Sequence, residues 1–223
     1  MDSVQRMEIT LRYLADPDFQ TGGGFEVGVH QSTVSRAIAA TVTKITEQAP
    51  NWIQFPTSLE EASFSKEEWS RTLGFPACIG AIDCTHVRIE KPGNPFGDEY
   101  INRNNIPSIN VQATCDGKRK FTSIDASWPG SVHDSRVFKN SPIYEMLSNG
   151  HYNSLLLGDS GYGIAPFMMT PFDNPITPVE RRYNVMHARN RVLIEQSFGI
   201  LKRRFPILRY GVMPVDLMDM KSC

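Results

Sequence analysis

The sequence predicts an α/β protein, a mixed sheet flanked by helices and preceded by a small helical, helix-turn-helix-like segment. Three observations carry this. Up to about residue 75 the apolar residues recur at helical spacing, whereas from Ala77 onward they alternate or run together as they do in strands. Leu155-Leu156-Leu157 is a continuous apolar run closed by Gly158-Asp159, the pattern of a parallel strand buried on both faces. Finally, Asn190 to Phe205 places Ile194, Phe198, Leu201 and Phe205 at i, i+4, i+7 and i+11, one apolar stripe on a helix. The expected organisation is a helical segment over 1–55, a linker with a short helix over 56–75, and an α/β domain over 76–223.

Composition narrows the function classes. With 40% hydrophobic and 21% charged residues the 223-residue chain has an ordinary globular balance, enough for one moderate domain and a small one. No apolar run approaches the 18 residues of a membrane span, and MDSVQRMEIT lacks the apolar core of a signal peptide. Cys78, Cys84, Cys115 and Cys223 show no CxxC spacing, so they read as reduced thiols of an intracellular protein, not as a zinc knuckle or a disulfide frame. The formal net charge is only −1, yet residues 181–209 hold eight Lys/Arg and the single acid Glu195. That asymmetry suits an anionic partner at one face, or else a solvated helix surface.

Taken in order, Val4, Met7, Leu11 and Leu14 mark a short amphipathic helix that Gly22-Gly23-Gly24 breaks. The next helix carries Val34, Ile38, Val42 and Ile45, with Ser32 as its N-cap. Its opening residues Ser32, Thr33, Ser35 and Arg36 resemble the start of a recognition helix, where small polar groups and Arg face phosphates and base edges. Two capping boxes follow, Ser58-x-x-Glu61 and Ser65-x-x-Glu68, the second opening a short helix that ends at Gly74.

Ala77 to Ile89 is the first strand, with Ile79, Ala81, Asp83, Thr85 and Val87 on one face. Ile109 to Cys115 alternates as the second strand, with Asn110, Gln112 and Thr114 on its polar side. Asp116-Gly117 is a hairpin turn signal, and Phe121 to Ser127 is the third strand. Trp128-Pro129-Gly130-Ser131 turns into a helix that starts near His133 and Asp134. Leu155 to Leu157 is the later parallel strand, and a Pro-rich stretch over 166–178 leads to the Glu195 helix.

Three acids stand out by context: Asp83 inside a strand, Asp159 at a strand end, and Glu195 within a helix. A carboxylate buried alone is costly and wants a cation or several donors. Three converging acids repel one another unless a divalent metal neutralises them, and hard oxygen ligands select magnesium or manganese over zinc. Two alternatives stay open on the residues alone: three structural acids, and a plain i,i+4 pair of Glu195 with Arg191. No HExxH or clustered His/Cys spacing supports a zinc hydrolase.

The segments GAIDCTHVRI, INVQATCDG, WPGSVHDSRVF, LLLGDSGYG, MTPFDNP and NRVLIEQSFGILKRRF, in that order, resemble the PIF/Harbinger transposase superfamily over residues 28–209. The resemblance implies an RNase H-like fold and a DDE-type nuclease using a divalent metal, magnesium or manganese. It assigns Asp83, Asp159 and Glu195 as catalytic and metal-binding acids, with His133 and Asp134 as the supporting HD pair. Arg189, Arg191, Lys202 and Arg203 then become candidate phosphate contacts beside Ser32, Thr33, Ser35 and Arg36. DNA as substrate, a separate Myb-like DNA-binding partner protein, and a nuclear location with the cytoplasm as a second site are further implications; self-association is left open. Relatives of this kind continue into another core helix, so the resemblance implies a C-terminally shortened nuclease domain over 76–223. The alternative function is a catalytically inactive module for DNA or protein binding.

Overall fold

The computed structural model describes residues 1–16, 28, 30–93, 95–150 and 153–213. Its centre is a five-stranded mixed sheet in the order β3-β2-β1-β4-β5. The strands are β1 (Cys78–Arg88), β2 (Ser108–Cys115), β3 (Phe121–Pro129), β4 (Leu155–Leu157) and β5 (Met168–Met169). β1, β2 and β3 form an antiparallel meander, β4 pairs parallel to β1, and β5 pairs parallel to β4. The helices are α1 (Ser3–Ala15), α2 (Gln31–Glu47), α3 (Leu59–Leu73), α4 (Asp134–Lys139), α5 (Pro142–Ser148) and α6 (Pro178–Arg204).

Two apolar layers cover the sheet. On one face Ala81, Ala113 and Cys115 pack with Trp69 of α3 and Ile194 and Phe198 of α6. On the other, Ile82 and Leu156 pack with Phe138 of α4 and Ile143 and Leu147 of α5. The strict alternation expected from Ile79 onward fails at its first residue. The β1–β4 register shifts between Cys78 and Gly80, and Ile79 joins Ile82 on the α4–α5 side. Gly80 is required there, since a Cβ would lie 3.0 Å from the Cys115 carbonyl oxygen. On β2, the polar row Asn110, Gln112 and Thr114 is buried rather than solvated. The turn before α4 covers part of it, with Asn110 Nδ2 donating to the Val132 carbonyl at 2.9 Å.

Helix boundaries follow the caps, with several departures from expectation. α3 is one helix opened by the Ser58–Glu61 box, so Ser65 lies inside it; Gly74 closes it in the left-handed region at φ 68°. α6 starts twelve residues earlier than its apolar stripe announces, because Thr177 and Glu180 form a capping box with Pro178 at the first helical position. The β2–β3 turn runs from Asp116 to Lys120, and the left-handed residue is Arg119 (φ 69°), not Gly117. Asp116 holds it by accepting from the Lys118 and Lys120 amides at 2.8 Å each.

In the N-terminal segment the N-cap of α2 is His30, which accepts from the Ser32 amide; Ser32 is already helical. The buried face of α1 is Ile9, Thr10 and Tyr13, while Val4, Met7 and Leu11 of the expected stripe are exposed. α1 turns that face because Ile9 and Tyr13 pack with Val34 and Ile38 of α2 and with Ile207 beyond α6. The Gly22–Gly24 break lies outside the described residues.

Candidate metal centre

β4 is short, and its last pair with β1 is Ala81↔Leu157. Asp83 lies two residues beyond that pair within β1, and Asp159 two residues beyond it in the turn that follows β4. The two acids therefore meet where β1 continues past the end of its parallel neighbour. Asp159 is held there as the N-cap of a 3-10 turn over Ser160–Tyr162, its Oδ1 accepting from the Gly161 amide at 3.0 Å. Asp83 Oδ1 accepts from the Cys84 amide at 2.8 Å.

Asp134 completes the group from the first turn of α4. Carboxylate oxygens of Asp83, Asp134 and Asp159 lie within 4.8 Å of one another. Asn110, fully buried in β2, donates from Nδ2 to Asp134 Oδ1 at 2.8 Å as well as to Val132. It thus fixes Asp134 relative to the sheet. Cys84 Sγ and the Tyr162 hydroxyl, 3.2 Å apart, close the inner side, and burial pushes both above their ordinary pKa values.

The electrostatics match this crowding. Two carboxylates at such separations repel by about 3–4 kcal/mol at an effective dielectric near 20. Burial, opposed by the Cys84 amide and Arg191 but reinforced by Asp159 and Asp134, pushes the Asp83 carboxyl from 3.8 to about 6. The positive charge that faces the group is Arg191 of α6. Its guanidinium donates to Asp83 Oδ2 at 3.3 Å and to Glu195 Oε1 at 2.5 Å. The donor set of three hard oxygen ligands, with a guanidinium already drawn to its rim, fits a divalent cation.

The expected site residues divide accordingly. Asp83 and Asp159 come together, joined by Asp134, and Glu195 stands beside them on the far side of Arg191. His133 is exposed; it is the N-cap of α4 without a side-chain capping bond. Of the candidate phosphate contacts, Arg189 and Arg203 are exposed on α6. Lys202 instead donates to Thr85 Oγ1 at 2.7 Å and to the His86 carbonyl at 2.8 Å, tying α6 to β1. Burial and the nearby Arg209 lower its pKa. Ser32, Ser35 and Arg36 are exposed and Thr33 half-buried at the start of α2, the helix whose Val34 and Ile38 pack with Ile207 beyond the end of α6. Two roles were not visible in the sequence: Asn110 looked like a solvent-facing strand residue, and Arg191 looked like a phosphate contact or a simple partner of Glu195.

Residues 82–221 match the family described as DDE superfamily endonuclease. The chain is 35% identical over 199 residues to the Bos taurus protein named "Putative nuclease HARBI1" and 34% identical to its Homo sapiens counterpart, in each case over 89% of this chain and 57% of the relative. It is also 28% identical to "Protein ALP1-like" of Arabidopsis thaliana, over 93% of this chain and 54% of that protein. The chain thus spans a little over half the length of the curated relatives it matches. No solved structure matches it. The mixed sheet with flanking helices is the RNase H-like architecture of this family, and Asp83 within β1, Asp134 in α4 and Asp159 just after β4 all fall within the matched region. The chain belongs to the DDE superfamily endonucleases.

Proposed function

We propose that this chain is a divalent-cation-dependent DNA endonuclease of transposase origin, and that Asp83, Asp134 and Asp159 hold the cation with Glu195 beside them. The observation that carries the reading is that carboxylate oxygens of Asp83, Asp134 and Asp159 lie within 4.8 Å of one another. A bound magnesium or manganese ion supplies charge stabilisation at a phosphate and acidifies a water. The protein's own groups do the rest. Asn110 orients Asp134, the Gly161 amide orients Asp159, and Lys202 with Ile194 and Phe198 holds α6 against the sheet. Exposed Arg189 and Arg203 on α6 neutralise substrate phosphates. DNA as substrate places this work in the nucleus, and a Myb-like partner and self-association belong to the same proposal.

The test is incubation of the purified chain with plasmid DNA and Mn²⁺. Cutting is expected, and chelation, Asp83→Ala or Glu195→Ala should each abolish it. Variants that cut like wild type would remove the reading. One observation favours the non-catalytic alternative: Glu195 is paired with Arg191, not gathered with the aspartates. In that case the wild type binds DNA in a salt-dependent way but leaves it intact with every cation, and binding survives the same substitutions.

A further inference from the structure

We infer that Arg191 is a positioning residue, an internal counter-cation that holds Glu195 apart from the three-aspartate group until a divalent cation takes its place on Asp83. The inference rests on the metal reading above and adds a rule for how the site is assembled.

One guanidinium bridges carboxylates from two different elements, Asp83 on β1 and Glu195 on α6. The grip is uneven, 2.5 Å to Glu195 but 3.3 Å to Asp83. Arg191 is therefore held mainly by its own helix and leans on the strand. An acid placed four residues after the base is the weaker orientation for an i,i+4 pair, so helix stability alone is a poor reason for this one. Nor is the bridge needed to dock α6. Ile194 and Phe198 pack into the sheet, and Lys202 donates to Thr85 and His86 on β1.

An arginine stays charged at any working pH, so a cation entering at the ionised Asp83 has to displace this guanidinium. A divalent ion brings twice the charge to the same oxygens. An outward rotation of Arg191 away from Asp83 also breaks its pair with Glu195 and frees that carboxylate to turn toward the aspartates. The site is thus a three-aspartate group with a guanidinium stopper, and Glu195 joins as the stopper withdraws.

The experiment is Mn²⁺ binding to the full chain, followed by calorimetry, for wild type, Arg191→Gln and Arg191→Lys. A stopper competes with the ion, so Arg191→Gln should bind Mn²⁺ about tenfold more tightly. Arg191→Lys keeps the charge but lacks the planar fork whose two nitrogens reach Asp83 and Glu195 separately, so it should bind with a smaller gain. It also serves if the glutamine variant does not fold. A residue that merely orders the site would give the opposite sign, so equal or weaker binding in the variants overturns the inference while leaving the metal reading intact. No Mn²⁺ binding by any of the three proteins overturns both.

Discussion

Replacing Asp83 by Asn should make the metal-free protein more stable while destroying its function. The carboxyl of Asp83 is lifted from 3.8 to about 6, chiefly by burial. A shift of that size corresponds to about 3 kcal/mol of extra cost for the charged form on folding. Its dependence on pH has a definite sign. Below 3.8 the group is protonated folded and unfolded, and the cost is absent; between 3.8 and about 6 the folded state binds the proton more tightly, so stability falls as pH rises; above about 6 the full cost stands. Asparagine keeps an acceptor for the Cys84 amide and carries no charge. At pH 8 in chelator, Asp83→Asn should therefore gain about 1–3 kcal/mol, or about 3–8 °C in melting temperature for a chain of this length. The gain should vanish toward pH 4. With Mn²⁺ at a hundred times its dissociation constant, wild type gains about 2.7 kcal/mol that the variant lacks, so the gap closes or reverses. Thermal melts at pH 4, 6 and 8, with chelator and with Mn²⁺, measure all of this. A variant less stable than wild type at pH 8, or a gap that does not change with pH, would refute the reasoning.

Other substitutions test the rest of the site. Asn110→Ala removes the buried amide that donates to Asp134 and Val132; urea unfolding should show a loss of about 2–3 kcal/mol, and Mn²⁺ affinity should fall with it. Arg203→Ala should weaken duplex binding and lower the slope of log affinity against log salt by about 1. By contrast Lys202→Met, whose ammonium is committed to β1, should leave that slope unchanged and destabilise by about 1–3 kcal/mol. Gly199 sits exposed in the middle of α6, with nothing within 4 Å of where a Cβ would be; Gly199→Ala should raise stability by about 1 kcal/mol, and a simultaneous loss of DNA affinity would mark it as the place where the substrate backbone approaches.

Much of this fold could be read from periodicity because each element obeys one rule. The Leu155–Leu157 run is buried on both sides and carries the parallel pairing, and Ile194 and Phe198 sit on the buried stripe of α6. The failures have equally local causes. α1 has apolar residues on two faces, so periodicity could not choose between Val4-Met7-Leu11 and the face that α2 and Ile207 cover. The polar row of β2 resembles a solvated face because alternation records polarity and not burial; only the chain that folds over it makes Asn110 a buried donor. In the site, Asp83 and Asp159 were legible as acids where strands should carry none. Their convergence depends on the register Ala81↔Leu157, which no local pattern encodes. The bridging of Asp83 by Arg191 joins residues 108 positions apart, so it too is a product of packing.

The placement of Glu195 depends on what holds the end of α6, and here the N-terminal helices have a structural role of their own. From Glu195 the helix runs about two and a half turns to Arg204. Beyond it Ile207 is buried between α1 and α2, with Phe205 and Leu208 against the same cluster. The chain then returns to the sheet: Met213 pairs parallel with Ile89, its amide donating to the Arg88 carbonyl at 3.1 Å and its carbonyl accepting from the Glu90 amide at 2.9 Å. α6 is thus fixed at Thr177 by its capping box, along its middle by Ile194, Phe198 and Lys202, and at its end by α1 and α2. With the backbone held at three points, the side chain of Arg191 is the element left to rearrange when a cation enters.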